Sequence, residues 1–455
     1  MSEEIGVIVE EGLSDWQVVQ HEGGMGVVRL KGRWISSVKG EVEVRVAMED
    51  TGFSVLDWVR ADTWEDGFWE AVLKVPAGGL YRLETRLRTA ENLAGEWSPR
   101  GDMRHFWGVG DVWVIAGQSN SAGYGRGPYE DPAELGIHLF RNSEEWALAS
   151  HPMNDSTATR HAVNREAANP GHSPYLQFAR LLKRELGYPI GLVQTALGGS
   201  PLVRWNPQEQ GESDLFDNMV QCVDQASGRV RGILWYQGES DAGTEEQAAS
   251  YERRFGDAVG AWRKALGDAE LPILTVQLNR VYGRPEGDRI WTQVREAQRQ
   301  AAERIAYTAV VPAFDLPLSD LIHNSPAGNM LLGERLARAA LSLVYGVGAD
   351  SRAPSVEVAR RGDGRRVELH FAHVVSRIDC IDETANCFRV EDEGGEVPIA
   401  KVSYPMNNAV VLELERPLRG EAQVHGGWGA DPDTVPMDME RFVPMLGFYG
   451  LEIQV

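Results

Sequence analysis

The chain has 455 residues and a formal net charge of −22, from 45 Lys plus Arg against 67 Asp plus Glu. Hydrophobic residues make up 43% and charged residues 25%, which excludes a disordered chain and, at this length, predicts roughly two to four domains with cores of their own. The acidity is even, with net charges of −7, −8 and −7 over residues 1–105, 106–350 and 351–455, so no segment offers a basic face to nucleic acid or an anionic membrane.

The start, Met1-Ser2-Glu3-Glu4-Ile5, has no basic stretch ahead of an apolar core, so no signal peptide is expected. No run approaches the length of apolar residues that spans a bilayer. The three cysteines, Cys222, Cys380 and Cys387, form no Cys-x-x-Cys pair, which argues against both a disulfide framework and a thiolate zinc site. A cytoplasmic protein without a membrane partner is the expectation.

Residues 1–105 read as strands. Gly26–Leu30, Glu41–Val46 and Leu80–Leu87 alternate apolar with polar, the period of a sheet with one buried face, and Pro76-Ala77-Gly78-Gly79 marks a turn. A β-sandwich region is expected here. From residue 106 to about 350 the pattern changes. Short apolar runs at Val112–Gly117, Ile190–Ala196, Ile233–Tyr236, Ile273–Leu278 and Ala309–Phe314 have the look of buried strands. Helical patterns lie between them. Ser173-Pro174 leads into Tyr175–Leu186, Thr244-Glu245-Glu246-Gln247 has capping-box form and opens a helix to about Leu266, and further helices are expected near 288–306 and 328–345. Strands alternating with helices predict an α/β domain with a parallel sheet covered on both faces. Residues 351–455 return to β patterns at Ser355–Val358, Arg366–Phe371 and Ala409–Leu414. The two β regions are expected either as separate domains or paired into one sandwich.

In open α/β sheets ligands bind beyond the carboxyl ends of the strands, and four such ends carry notable residues. Gly117-Gln118-Ser119-Asn120 follows the first strand. Ser119 there is a candidate nucleophile whose own N–H faces an oxyanion, although the motif alone reads first as a helix cap. Gln194-Thr195-Ala196-Leu197-Gly198-Gly199-Ser200 brings paired glycines that expose N–H groups, or simply turn the chain. Trp235-Tyr236-Gln237-Gly238-Glu239-Ser240-Asp241 offers the Gln237 amide as an oxyanion donor. Its two carboxylates lack the accompanying ligands of a metal site, so no metal is expected. Asp320-Leu321-Ile322-His323 places a carboxylate where it can orient an imidazole. Each block is weak alone. Their co-occurrence at one sheet edge is the constellation of acyl transfer.

Taken in order, Gly-Gln-Ser-Asn, Gly-Gly-Ser ahead of Trp205, Trp-Tyr-Gln-Gly-Glu-Ser-Asp, and Asp-x-x-His followed by Gly333-Glu334-Arg335-Leu336-Ala337 resemble the SGNH (GDSL-like) hydrolases, specifically carbohydrate acetylesterases of the sialate O-acetylesterase and acetylxylan esterase type. The resemblance covers about 108–345, with looser echoes at Trp428 and Gly447-Phe448-Tyr449. It implies an SGNH-type sheet and a cofactor-free esterase acting on acetylated sugars. Ser119 is then the nucleophile, His323 the base and Asp320 its orienter, with the N–H groups of Ser119 and Gly198 and the Gln237 amide as the oxyanion hole. Gln118, Asn120, Gly199 and Glu239 are candidates for supporting the site. Arg204 and Trp205 are candidate sugar contacts, with an ion pair and a core position as the equal alternatives. His161, in the loop 142–172, is a weaker candidate to enter the site. The rival from another class is an inactive carbohydrate-binding or scaffolding protein on a hydrolase-like core. Oligomeric state and the identity of the sugar stay open.

Overall fold

In the computed structural model, residues 6–36, 39–89, 100–284, 287–382, 384–432 and 434–454 are described; the first five residues, read above for a leader, lie outside them. The molecule is a mixed α/β fold with three regions in chain order.

The first region holds two sheets. One has the strand order Gly6–Glu11, Met25–Ile35, Phe68–Pro76, Asp62–Thr63, and the other joins Ser54–Arg60, Gly40–Met48 and Gly78–Thr89 to the first half of Arg100–Gly117. Their alternating inner residues, among them Val28, Leu30, Val44, Val46, Leu73, Leu83 and Trp107, form one buried cluster. Arg100–Gly117 does not stop at residue 106. Its first half pairs antiparallel with Gly78–Thr89, a register shift and a positive φ at Phe106 turn it, and its second half enters the central sheet.

That sheet runs Trp146–Leu148, Ile137–Phe140, Ile190–Gln194, Arg100–Gly117, Gly232–Tyr236, Ile273–Gln277, Thr308–Pro312. All pairs are parallel except the edge pair Ile137–Phe140 with Trp146–Leu148. The strands are buried on both faces, because α2 (Tyr175–Leu186) packs on α6 (Pro326–Tyr345) while α4 (Glu245–Ala265) packs on α3 (Asp214–Ala226) and α5 (Asp288–Arg304). The short α1 (Ser119–Ala122) sits at the sheet's carboxyl edge. The expected Ser173 cap does not form, since Pro174 holds the N-cap position and Ser173 Oγ turns to Met153. Thr244 caps its helix as expected, and Ser325 adds a cap that was not anticipated. The Thr244 side chain accepts the Gln247 N–H, and Ser325 accepts the Gly328 N–H ahead of a helix with Pro326 in its first turn. The helix α3 was missing from the sequence reading, although Leu215, Met219, Cys222, Val223 and Ala226 recur at helical spacing and are buried.

The last region is built on an eight-stranded sheet, with Ser355–Arg361, Arg366–Ala372, Ala409–Leu414 and Phe448–Gln454 at its centre. Among the described residues it shares no sheet with the first region, and each has its own buried cluster. Pairing of the two β regions into one sandwich is therefore not what forms. Instead the last region docks on α5. The fully buried Arg295 donates to the carbonyls of Leu278, Asn279, Gly427 and Gly429, and burial pushes its guanidinium down to about 9. Gln277 holds Gly447 through both its amide atoms. Trp428 and Tyr449, the C-terminal echoes of the sequence, stack with ring centroids 6.4 Å apart over Arg289.

Candidate active site

The turn that carries Ser119 is built on one obligatory glycine. Gly117 ends its strand at φ +121°, and a Cβ there would lie 2.2 Å from the Tyr236 carbonyl oxygen of the neighbouring strand. The Gln118 N–H donates to that same carbonyl at 2.9 Å, and α1 begins at the next residue. Ser119 thus opens a helix, and its N–H has no intrahelical acceptor. Gln118 spends its side-chain oxygen on the Ser240 N–H at 3.2 Å, which ties the turn to the loop after Gly232–Tyr236.

From Ser119 a continuous hydrogen-bonded chain runs outward. Its hydroxyl lies 2.9 Å from His323 Nε2, and His323 Nδ1 lies 2.7 Å from Asp320 Oδ2. With Nδ1–H donating to the carboxylate, Nε2 is left as the acceptor for the serine proton. Asp320 Oδ1 also accepts the N–H groups of Ile322 and His323 at 2.9 and 2.8 Å, so one carboxylate both shapes the turn and holds the ring. Partial burial would raise its carboxyl pKa, but the Ile322 N–H and the His323 ring and N–H outweigh this and hold it below the usual value. The side chain of Asp320 is 41% exposed and that of His323 16%.

The turn that carries His323 is pinned from below. Asn120 accepts the Asn324 N–H at 3.0 Å and donates to the Ile322 carbonyl and to Glu239 Oε1, the latter at 2.8 Å. Asn279 donates to the Ile322 carbonyl at 2.7 Å and to Asn324 Oδ1 at 2.9 Å. Burial pushes the Glu239 carboxyl up to about 7, against the hydrogen bond from Asn120, and its Oε2 has no hydrogen-bond partner. Asn120 and Glu239 therefore support the histidine turn from a buried position. Asn279, at the end of Ile273–Gln277, does the same and was not singled out in the sequence.

One expectation needs correction, at Gln237, and the open alternatives at Trp205, Arg204 and His161 resolve away from the sugar. Gln237 is fully buried, and its amide hydrogens go to Asp241 Oδ2 at 2.6 Å and the Ser200 carbonyl at 3.3 Å, while its oxygen accepts the Tyr251 hydroxyl. No donor capacity is left for an oxyanion. Trp205 is 0% exposed, bonds Ser200 Oγ and packs edge-on to Trp235, and Arg204 forms a bidentate pair with Asp214 at 2.9 and 2.7 Å. Both belong to the support of the glycine loop rather than to a sugar surface. His161 turns away to Glu144 at 3.0 Å.

Gly198 and Gly199 do border the site. The Leu197 N–H bonds the Gly117 carbonyl at 3.1 Å, which sets the glycines beside the nucleophile turn. Gly199 has φ +64° and faces open space. The Gly198 N–H, however, donates to Glu166 Oε1 at 2.9 Å. Glu166 and Tyr124, whose ring lies 5.0 Å from that of His323, were not legible as site residues, because neither belongs to a motif block.

Among the described residues one group has the composition of a metal site, Asp131, His151 and His172. Both Nε2 atoms lie on Asp131 Oδ2, at 3.0 and 3.1 Å, and Arg180 holds Oδ1 at 2.7 Å. The Ser173 N–H donates to His151 Nδ1, which puts that ring's proton on Nε2, where a metal would need a lone pair. The cluster reads as a hydrogen-bonded tie between the loops behind α1. No helix in the described residues is long and apolar enough to cross a membrane.

The model of the family described as carbohydrate esterase, sialic acid-specific acetylesterase, matches residues 109–342. A probable carbohydrate esterase of Arabidopsis thaliana is 30% identical over 254 residues, spanning 51% of this chain and 90% of that protein. The sialate O-acetylesterases of Homo sapiens and Pongo abelii are each 24% identical over 287 residues, and the chain spans about half of their length, 54%. Among solved structures, a carbohydrate acetylesterase from Xanthomonas citri superposes with a TM-score of 0.66 at 22% identity, covering 97% of this chain and 99% of that one, which shows a shared fold.

Proposed function

The chain belongs to the sialic acid-specific acetylesterase family of carbohydrate esterases, and from that membership and the geometry around Ser119 we propose a serine esterase that removes O-acetyl groups from sugars on an SGNH-type sheet. One observation carries the reading: the continuous hydrogen-bonded chain Ser119 Oγ, His323, Asp320, with its imidazole nitrogens in the right roles.

In this reading Ser119 Oγ attacks the acetyl carbonyl carbon while its proton passes to His323 Nε2. Asp320 keeps the tautomer in place and stabilises the imidazolium that forms. The oxyanion is met by the N–H of Ser119, at the open end of α1, and by the N–H of Gly198 once Glu166 yields it. Each such donor is worth roughly 2.7–4 kcal/mol in the transition state. Collapse of the tetrahedral intermediate breaks the bond to the sugar oxygen, which leaves with the proton from His323. Water, deprotonated by His323, then attacks the acetyl-enzyme and releases acetate.

Ser119→Ala is expected to reduce hydrolysis of 4-nitrophenyl acetate and of acetylated oligosaccharides by at least about a thousandfold. Full activity in that variant would overturn the mechanism.

A further inference from the structure

One acidic side chain stands beside Ser119 without a cation. Glu166 follows the short helical turn Ala162–Asn164, and its Oε1 accepts the Gly198 N–H at 2.9 Å. A Cβ on Gly198 would lie 3.2 Å from Glu166 Oε2 and 2.9 Å from Tyr124 Oη, so both oxygens face the same small volume. Tyr124 in turn lies against the His323 ring. The carboxylate thus borders the glycine loop on the side where Tyr124 leans on the triad histidine.

Its surroundings do not neutralise it. Among the described residues no Lys, Arg or His forms an ion pair with Glu166. Arg165, next in the chain, donates to the Thr159 carbonyl, and Arg204 is spent on Asp214. Arg126 lies 5.8 Å from the Tyr124 ring centroid, but it is exposed and its field is screened by water and salt. Burial raises the Glu166 carboxyl pKa, and the Gly198 N–H opposes that rise. A half-buried carboxylate of this kind accepts hydrogen bonds from hydroxyls and repels anions, the more strongly because the walls of the site exclude part of the water.

We propose that Glu166 is a specificity-determining residue that selects uncharged acetylated sugars and discriminates against substrates bearing a carboxylate, acetylated sialic acids included. The proposal rests on the esterase reading of Ser119. On binding, the acetyl carbonyl takes over the Gly198 N–H, and the freed carboxylate accepts hydroxyl groups of the neutral sugar. An anionic sugar would bring a second negative charge toward the same side of the site, where the repulsion acts over several ångströms through a partly water-excluded medium.

The test compares kcat/KM of the full chain at pH 8 and low salt on acetylated xylobiose and on 9-O-acetyl-N-acetylneuraminic acid. The parent enzyme should favour the neutral sugar by about tenfold or more, and Glu166→Gln should shift that ratio toward the sialic acid by about tenfold. The ratio cancels any change in catalysis common to both substrates. A second measurement needs no variant: raising salt from about 20 to about 500 mM should shrink the parent's preference, because the repulsion is screened. A parent that prefers the sialic acid, or a ratio that moves with neither Glu166→Gln nor salt, overturns the proposal while leaving the esterase reading intact. A parent enzyme inactive on 4-nitrophenyl acetate overturns both.

Discussion

Two polar loops leave the same edge of the parallel sheet and reach opposite ends. The loop Asp320–His323 keeps its side chains partly exposed, and its hydrogen bonds lead outward to Ser119. The loop Gln237–Asp241 is buried, and its bonds lead inward. Asp241 accepts from Gln237, from the Leu202 N–H at 2.8 Å and from Arg254 at 2.7 Å, so the loop fastens the glycine turn to the sheet. Both loops carry acid, amide or imidazole groups at a strand end. What separates them is how the hydrogen-bonding capacity is used after folding: the Gln237 amide is fully buried with both hydrogens taken by the loop's own partners, whereas the partly exposed Asp320–His323 turn leaves its imidazole on Ser119.

That contrast predicts different failures. The largest effect is expected at His323→Ala, with kcat down at least about a thousandfold and the thermal midpoint little changed, since a partly exposed loop residue carries little packing. Steady-state kinetics beside a thermal melt checks both halves, and a large loss of stability would dissolve the distinction. Asp320→Asn should cost about a hundredfold to a thousandfold in kcat. The asparagine presents a donor to Nδ1–H, but this carboxylate is more exposed than a fully buried one and water can stand in.

At Gln237 the comparison can be broken outright. Gln237→Leu should destabilise the fold by about 1–3 kcal/mol, because Asp241, the Ser200 carbonyl and the Tyr251 hydroxyl each lose a partner. Its kcat should change only slightly. A loss of about a hundredfold or more in kcat with unchanged stability would return Gln237 to the oxyanion hole.

The smallest effect belongs to Glu239→Gln. The folded state binds the Glu239 proton more tightly than the unfolded chain does, with a carboxyl pushed from 4.5 up to about 7. Stability therefore falls as pH rises through that window. The amide matches the protonated acid, so the variant should equal the parent near pH 5 and exceed it near pH 8 in urea unfolding. An identical pH slope in both proteins would place the pH dependence elsewhere.

Much of this was readable residue by residue. The apolar runs at Ile190, Ile233 and Ile273 became strands because a stretch buried on both faces needs no polar alternation. Thr244 announced a helix start through a local bond to the Gln247 N–H three residues ahead. The pair Asp320 and His323 is likewise local, closing within one turn. The edge strands Ile137–Phe140 and Trp146–Leu148 were not readable, being short and set in a long irregular stretch. Nor were Glu166, Tyr124 and Asn279, which reach the site only through the fold.

 Glu166 meets Gly198 across 32 residues and Asn279 meets Ile322 across 43. Tyr124 meets His323 across 323 − 124 = 199 residues. No local pattern encodes meetings over such distances.

By itself, then, the sequence determined the central strands, most of the long helices and the local Asp320–His323 turn, because strand burial, helix caps and that turn all depend on neighbours within a few positions. The tertiary structure alone decided which polar groups stay available. Gln237 and Glu239 are two residues apart in one motif, yet one is consumed by Asp241 and Tyr251 and the other keeps an unpartnered oxygen beneath the histidine turn. Glu166, in no motif, comes to rest on the N–H of Gly198. Hydrogen-bond capacity is used up by whatever the fold brings near, and that is set by packing between distant segments rather than by local spacing.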